Sequence, residues 1–429
     1  TQYEVNATGG FKPVTRFRDF TNLIELNNFF RSFSDCITEK HLISSFEAKG
    51  DVWPAPRLAN NKTNDVVVEP DDAFSTYNNH LIHRSSNIGR LDMYKNDNML
   101  SIISASKSAT MDMRLISEEE REYAGVVLDN YESPKTIAVA KTILENFEEY
   151  EKILPNERTA QLVFIDVGTP RDSVTDKEAK TFNCYHDLKQ HLLAGGLNES
   201  EIAFIHDAKT SKQRNEIFRK VRSAEIRVLI GSTPKLGAGT NIQDRLISIS
   251  SVTNDWKPRN FTQQLGRLCR QKNVFFDRSL ARYKAGEIKK EELFSVVASR
   301  FAVMGSLDAM VIQSNEIKAN FIESFLSDEG ISTRKISLRD EGQVSYSEFK
   351  ARVSGKPELL LKVKIDDLLR KLYALREDYE YKTIFSNSRM NSIPLEIEEQ
   401  KERIKELELK KPLRDTLKAL FSDFSVLET

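Results

Sequence analysis

The sequence predicts an α/β protein in which a parallel sheet is covered by helices. Between residues 135 and 271, short apolar runs alternate with longer stretches that have the spacing of amphipathic helices. The apolar runs are rich in β-branched residues and lack polar alternation, which is typical of strands buried on both faces of a parallel sheet. We therefore expect a ligand to bind at the carboxyl ends of these strands, where the loops of such a sheet meet.

The composition excludes several classes of protein. Lys and Arg number 63 against 64 Asp and Glu, a net charge of −1, so any contact with nucleic acid has to be a local groove rather than a basic surface. The three cysteines (Cys36, Cys184, Cys269) are widely spaced, which indicates a reducing compartment. With no signal peptide and no apolar run near 18 residues, we expect a cytoplasmic protein that does not span a membrane.

The first part of the chain, residues 1–96, reads as a segment that precedes the main sheet. The 429 residues begin with Thr1 rather than Met, which we interpret as a fragment or a processed product. The stretch 22–31 has the apolar spacing of a helix. Residues 51–80 mix prolines, asparagines and aspartates, which indicates an extended linker with one short strand at Val66–Val68.

The main domain is predicted at residues 97–326, and its first elements follow in order. A helix is expected at 135–153, because Pro134 stands just before an amphipathic stripe. The run 161–166 is the next buried strand, and 184–194 is a helix that ends at two glycines. A strand at 202–206 and a helix at 210–222 complete this part.

The richest stretch of motifs begins at the apolar run Ile226–Ile230. This predicted strand leads into Ser232-Thr233 and then into a glycine-punctuated turn, 237–241, whose backbone can approach a ligand closely because two positions lack a Cβ. A second apolar run, 246–252, ends shortly before Asp255-Trp256-Lys257-Pro258. Both strands should deliver their loops to the same edge of the sheet.

A helix predicted at 260–271 closes this stretch. At 100° per residue, Gln263, Arg267 and Arg270 fall within about 60° of one another, beside Gly266. The opposite side is apolar and carries Phe261, Leu265, Leu268 and Cys269. Two neighbouring guanidiniums repel each other unless an anion lies between them, and their forks match phosphate oxygens. This pattern favours a polyphosphate at that face.

Neither the Gly-x-Gly turn nor the arginine pair is specific by itself, since an arginine pair on a helix more often belongs to a solvated surface. The ordered series of Ser-Thr, Gly-x-Gly-x-Asn, Asp-Trp-x-Pro and Gln-x-x-Gly-Arg-x-x-Arg is more informative. It resembles motifs V and VI of superfamily 2 helicases, in particular the Swi/Snf-type ATPases. It is similar to the helicase modules of large methylase-helicase, antirestriction-type proteins of phages and mobile elements. The resemblance implies that residues 1–96 are an inter-lobe segment and linker, the tail of a first lobe. It also implies that residues 97–326 form a RecA-like C-terminal lobe, with an insertion near 274–299.

The resemblance also implies roles for particular residues. Arg270 would be the arginine finger on the γ-phosphate of ATP, with Arg267 as its partner. The implied catalytic set is Arg270, Arg267 and Gln263. The implied nucleotide-binding and coupling set is Gly239, Gly266 and Asp255. The implied contacts with the DNA backbone are Thr233, Gly237, Thr240 and Asn241.

Half of a helicase site is missing from this sequence. A phosphate loop ending in Gly-Lys-Ser/Thr and an acidic box for Mg²⁺ are both required. The closest match, Ser354-Gly-Lys-Pro-Glu358, has proline in place of the hydroxyl residue. We therefore expect the binding site for ATP and Mg²⁺ to be completed by a first RecA-like lobe in this or another polypeptide. This chain alone should not hydrolyse ATP.

The sequence leaves room for two other interpretations. The lobe can persist as a non-catalytic DNA-binding or structural module, for example one carried inside a phage particle. A Rossmann-type enzyme is disfavoured, because no Gly-x-Gly-x-x-Gly follows the strands. The pair His80-x-x-His83 has no further ligands at metal-binding spacing, so we expect no metal site there.

The last part of the chain is predicted to be helical. Residues 327–356 are a polar connector, and 357–429 read as two helices of a coiled-coil-like hairpin. Such an extension is typical of a brace or of a surface that binds a protein partner.

Overall fold

The structure is a computed structural model. It describes residues 2–5, 11–14, 23–35, 37–87, 98–170, 182–237 and 241–326, together with positions 365, 369, 372, 376, 383, 393–394, 396–408 and 410–412. The chain divides into two units, Thr1–Leu360 and Leu361–Thr429.

The first unit is built on a six-stranded sheet in which every described pairing is parallel. The strands lie in the order β3-β8-β7-β4-β6-β5. Their bounds are β3 Asn64–Val68, β4 Ala160–Phe164, β5 Ile202–Phe204, β6 Val228–Gly231, β7 Leu246–Ser251 and β8 Val297–Val303. Two further strands, β1 (Gln2–Val5) and β2 (Phe11–Val14), form a separate antiparallel pair. The predicted parallel α/β fold is confirmed.

The centre of the sheet explains why β4, β6 and β7 have almost no polar alternation. Leu162 of β4 pairs with Leu229 of β6 on one side and Ile249 of β7 on the other, and all three are fully buried. Helices cover both faces of the sheet, so neither side chain direction of these strands reaches water. Strands of this kind read as continuous apolar runs, as the sequence does here.

Twelve α-helices are described. Those before the centre of the sheet are α1 Leu23–Arg31, α2 Glu39–Ala48, α3 Asp72–Ser86, α4 Met99–Met111, α5 Glu118–Tyr123 and α6 Pro134–Ile153. Those that follow are α7 Cys184–Ala194, α8 Ser211–Arg222, α9 Thr233–Gly237, α10 Pro258–Leu268, α11 Val274–Lys284 and α12 Leu307–Leu326.

Local capping fixes the ends of several helices. Ser133 caps α6, accepting a hydrogen bond from the amide of Thr136, and proline occupies the first helical position. Thr210 and Gln213 form a reciprocal capping box at the start of α8. Gly195 ends α7, as its position predicted. These signals are local in sequence, which is why these helices were predicted within a residue or two.

The strand order assigns the helices to two faces. The step from β4 to β5 runs through α7 in one direction along the sheet, and the step from β5 back to β6 runs through α8 in the other. Because parallel crossovers are right-handed, α7 and α8 lie on opposite faces. The steps from β6 to β7 and from β7 to β8 run in the same direction along the sheet as the step from β5 to β6. Helices α8, α9 and α10 therefore lie on one face. Helix α6 packs on α7 on the other face.

One prediction about the beginning of the chain needs correction. The strand at Val66–Val68, assigned from sequence to a linker, is part of β3, the edge strand of the main sheet, paired along its length with β8. Arg300 of β8 also holds Asp65 of β3 through two hydrogen bonds of 2.8 and 2.7 Å. The sheet therefore continues across the predicted boundary at residues 96 and 97.

Further along the chain, the predicted insertion near 274–299 contains α11 and a short 3₁₀ helix, Lys290–Glu292, before β8. The predicted connector at 327–356 lies outside the described residues. In the second unit, every described position between 365 and 412 is helical. Pairing of those helices as a coiled coil remains a prediction. Across the described ranges, no helix combines the length and apolar character needed to cross a bilayer.

Candidate functional site

Three neighbouring strands end at a buried polar cluster. Asp166 follows β4, Thr233 follows β6 and Thr253 follows β7. The Thr233 amide donates to Asp166 Oδ1 at 2.6 Å, and the Thr233 hydroxyl donates to Oδ2 at 2.8 Å. The Asp166 amide in turn donates to the Thr253 hydroxyl at 3.0 Å. The expectation that Ser232-Thr233 lies at the carboxyl edge of the sheet is thus confirmed.

Gln264 attaches α10 to this cluster. Its side-chain Nε2 donates to the Thr233 hydroxyl at 2.9 Å, and both residues are 3% exposed. A buried hydrogen bond to a hydroxyl that itself binds a carboxylate orients the whole helix. Neither Asp166 nor Gln264 is among the site residues predicted from the sequence. The sequence does contain a signal for Gln264, because this polar residue lies in line with Phe261 and Leu268 on the apolar face of the predicted helix.

The helix that carries the arginines ends earlier than predicted. It spans Pro258–Leu268 rather than 260–271, and Cys269 leaves helical geometry with φ −83° and ψ 59°. Gln263 and Arg267 are one turn apart on α10, so the spacing argument holds for them. Arg270 follows the helix, and its position comes from the turn at Cys269 rather than from helical periodicity.

Arg267 and Arg270 nonetheless lie close together. Burial lowers the pKa of the Arg267 guanidinium, and the positive charge of Arg270 lowers it further. Both residues are partly exposed, whereas Gln263 and Gly266 beside them are exposed. A Cβ placed on Gly266 would meet nothing within 4 Å, so packing within the protein does not require glycine there. Arg267 and Arg270 therefore place two positive charges close together at a partly exposed position, and guanidinium groups in such an arrangement match the oxygens of a phosphate.

Asp255 lies at the opposite end of α10. Its carboxylate accepts hydrogen bonds from the Trp256 amide at 2.7 Å and from the Asn260 side chain. Its carbonyl accepts from Asn315 of α12 at 2.6 Å, and Lys318 binds the next carbonyl. These contacts organise the start of α10 and pin it to α12. A role in binding nucleotide remains a prediction for this residue.

The predicted DNA contacts do not all come together. Gly237 ends α9, while Gly239 and Thr240 lie outside the described residues. Asn241 is exposed, and its carbonyl accepts from Arg222 at 3.0 Å. Arg222 ends α8, which returns from the carboxyl edge of the sheet to its amino edge. The structure therefore separates Asn241 from Thr233, whose amide and hydroxyl both bind Asp166.

The groups that could hold a phosphorylated ligand are the two guanidiniums. Within the described ranges, no group of three or more His, Cys, Asp or Glu side chains is arranged to bind a metal ion. The chemistry that the two guanidiniums offer is charge stabilisation of an anion.

A comparison with protein families bears on the same stretch. The profile of the helicase conserved C-terminal domain matches residues 174–272. The matched segment includes β5, β6, β7 and α10 and extends just past Arg270. A search of curated proteins finds no match.

Among solved structures, 111 chains match. One is the crystal structure of the E. coli DEAD-box protein SrmB bound to the regulator of ribonuclease activity A. It is 15% identical, covers 40% of this chain and 77% of that chain, and has a TM-score of 0.23, at which the likeness carries no argument. Residues 174–272 are thus similar to the helicase conserved C-terminal domain, and the parallel sheet that carries them is consistent with a RecA-like helicase lobe.

Proposed function

We propose that this chain supplies the second ATPase lobe of an ATP-dependent DNA helicase or translocase of the Swi/Snf type. The observation that carries the proposal is the pair Arg267 and Arg270, two partly exposed cations close together within the segment similar to a helicase C-terminal domain. Guanidinium groups match phosphate oxygens, and the γ-phosphate of ATP held by a first lobe is the anion that we assign to them.

In this mechanism the first lobe holds ATP and Mg²⁺, and closure brings α10 against the nucleotide. Arg270 stabilises the negative charge that develops as the γ-phosphoryl group transfers to water, and Arg267 shares that charge. The repulsion between the two guanidiniums opposes closure on an empty site and favours closure on a triphosphate. Gln263, exposed on the same face, and Gly239 couple the state of the nucleotide to the position of the lobe.

The same lobe would touch the DNA backbone through the loop that joins α9 to β7. Gly237, Thr240 and the exposed Asn241 are the candidates for these contacts, which position a strand without reading its sequence. The amide and the hydroxyl of Thr233 already donate hydrogen bonds to Asp166, so we assign Thr233 an indirect role in DNA binding. Thr233 connects Gln264 of α10 to the segment that leads into the loop. A shift of α10, the helix that carries Arg267, would therefore move the loop that contacts DNA.

A protein partner is proposed for the second unit. Ile397 and Ile404 are seven residues apart on its helical stretch and are 49% and 54% exposed. Leu369 and Leu372, at helical spacing in the preceding stretch, are exposed as well. Apolar side chains repeated at this interval are typical of a helix that pairs with another helix.

The test measures DNA-stimulated ATP hydrolysis by the complete protein or complex that contains both this chain and a Gly-Lys-Ser/Thr phosphate loop. We expect Arg270→Ala to lower kcat by about 10³- to 10⁵-fold, the range found for arginine fingers. Arg282→Ala is the matched control, because Arg282 is exposed on α11 and pairs only with Glu287 among the described contacts. That variant should keep the wild-type rate.

Two results would contradict the proposal. One is ATP turnover by this chain alone, since its sequence has no phosphate loop. The other is an Arg270→Ala complex that hydrolyses ATP as fast as the Arg282→Ala control. If the complete assembly binds DNA at fixed salt but never hydrolyses ATP, the non-catalytic DNA-binding module is the correct interpretation.

A further inference from the structure

A small polar cavity lies between the carboxyl end of β7, α10 and α12. Thr253 and Asp255 line it from the loop after β7, Gln264 from α10 and Asn315 from α12. Its interior offers about 20 Å³ to the centres of water molecules. A site needs roughly 10–15 Å³ on this measure to hold one water, so the cavity has the size of a single molecule.

Two residues that line this cavity have an amide oxygen without a hydrogen-bond donor. Gln264 Oε1 and Asn315 Oδ1 are buried, and within the part of the chain that the structure describes neither has a partner. Gln264 is 3% exposed and Asn315 9%. Buried amide oxygens are nearly always hydrogen-bonded in folded proteins, to protein or to ordered water.

The chemistry of the neighbours fixes the orientation of both amides. The Thr233 hydroxyl has one proton and donates it to Asp166, a carboxylate that can only accept. Thr233 must therefore accept from Gln264, which turns the Gln264 nitrogen to Thr233 and its oxygen away. Asn315 faces the Asp255 carbonyl at 2.6 Å, an acceptor only, so its nitrogen points there. Flipping either amide would set oxygen against oxygen.

We propose that this cavity binds one water molecule, which donates one hydrogen bond to Gln264 Oε1 and the other to Asn315 Oδ1. The walls carry charges of both signs, which favours a neutral occupant over an ion. Arg300 and Lys257 line the cavity together with Asp255, and Arg300 is already paired with Asp65. The two outward-turned amide oxygens repel an anion. A neutral molecule with two donors and the size of water fits both observations.

The water makes Gln264 a connection between three elements. The side-chain nitrogen of Gln264 donates to Thr233 at the end of β6. Its oxygen accepts from the water, which also donates to Asn315 of α12. The helix that carries Arg267 is then fixed on two sides by one side chain. This inference concerns the folded chain itself and does not depend on ATP or DNA, so it stands or fails separately from the proposed function.

A crystal structure of the whole chain at a resolution that shows ordered water tests the proposal directly. We expect one density peak in the cavity, at about 2.5–3.0 Å from each of the two amide oxygens. Crystals soaked in rubidium chloride should show no anomalous signal there. A cavity without density, an anomalous rubidium peak, or amide oxygens paired with protein donors would overturn the proposal.

A second measurement uses melting temperatures. If one water serves both amides, Gln264→Leu removes it, and adding Asn315→Leu then costs less than Asn315→Leu does alone. The control pair joins Asn315→Leu with Asn146→Leu, a buried amide of α6 on the other face of the sheet, where the two losses should add. Additive losses for Gln264→Leu and Asn315→Leu would contradict a shared water.

Discussion

Replacing Thr233 by valine tests whether one hydroxyl fastens the arginine helix to the sheet. Valine has nearly the same shape as threonine, so Thr233→Val deletes the hydroxyl without opening a large cavity. Two hydrogen bonds are lost, a partly buried one donated to Asp166 at 2.8 Å and a buried one accepted from Gln264 at 2.9 Å. The Thr233 amide still donates to Asp166, so the carboxylate keeps one partner.

The expected cost follows from these contacts. A hydrogen bond to a charged group contributes about 1.5–3 kcal/mol, and a buried donor left without a partner, here the Gln264 side-chain nitrogen, costs about 1–3 kcal/mol. Together they predict that Thr233→Val lowers the free energy of unfolding by about 2.5–6 kcal/mol. With a urea dependence of about 2–3 kcal/mol per molar, the unfolding midpoint should fall by roughly 1–3 M.

Thr233→Ser is the matched control, because serine keeps the hydroxyl and loses only a methyl group, worth about 1 kcal/mol. Equilibrium urea unfolding followed by far-ultraviolet circular dichroism compares the two variants with the wild type. If Thr233→Val unfolds at the same urea concentration as Thr233→Ser, the hydroxyl does not hold Asp166 and Gln264 together, and the reasoning is refuted.

Three further predictions each concern the substitution of one residue. Gly266→Ala should raise the free energy of unfolding by about 0.5–1 kcal/mol, since alanine favours a helix and meets nothing within 4 Å, and a lower melting temperature would contradict this. Lys135→Met should lower it by about 3–5 kcal/mol in urea unfolding, because Asp308, 3.2 Å away, stays buried without its cation. The hydrogen bond from Arg278 holds the pKa of Glu157 below its ordinary value of 4.5. Glu157→Gln should therefore be less stable than wild type, by under about 1 kcal/mol, above that pH, and the difference should vanish in acid as wild-type Glu157 protonates.

Exposed counterparts serve as controls for the last two variants. Lys141→Met breaks an ion pair with Glu145 on the surface of α6 and should change stability by less than about 0.5 kcal/mol. Glu216→Gln perturbs a carboxylate whose pKa is likewise lowered, by Arg219, and should show the same pH dependence as Glu157→Gln. A difference between wild type and Glu157→Gln that grows in acid would have the wrong sign.

Several elements could be predicted because their signals are local. The strands β4 to β7 are short apolar runs separated by capped helices, so their existence and parallel direction follow from neighbouring residues. The arginine pair was found in the same way, from spacing within one segment. Helix α10 shows the limit of this approach, because no glycine or other cap marks its end at Leu268.

The edge strand and the polar cluster could not be found by the same reasoning. Asn64 of β3 lies beside Ser299 of β8, 235 positions later, and Thr233 meets Asp166 across 67 positions. A strand pairing or a buried hydrogen bond between distant segments depends on which surfaces remain uncovered once the chain has collapsed, and no local pattern records that.

The amino-acid sequence by itself thus determined the α/β class, most of the elements of the sheet and the chemistry of the guanidinium pair. Only the tertiary structure decided that β3 completes the sheet, that Thr233 is buried and hydrogen-bonded to Asp166, and that Gln264 connects α10 to the end of β6. The physical reason is that periodicity and capping act within a few residues, whereas burial and polar pairing are settled by contacts between segments far apart in the chain.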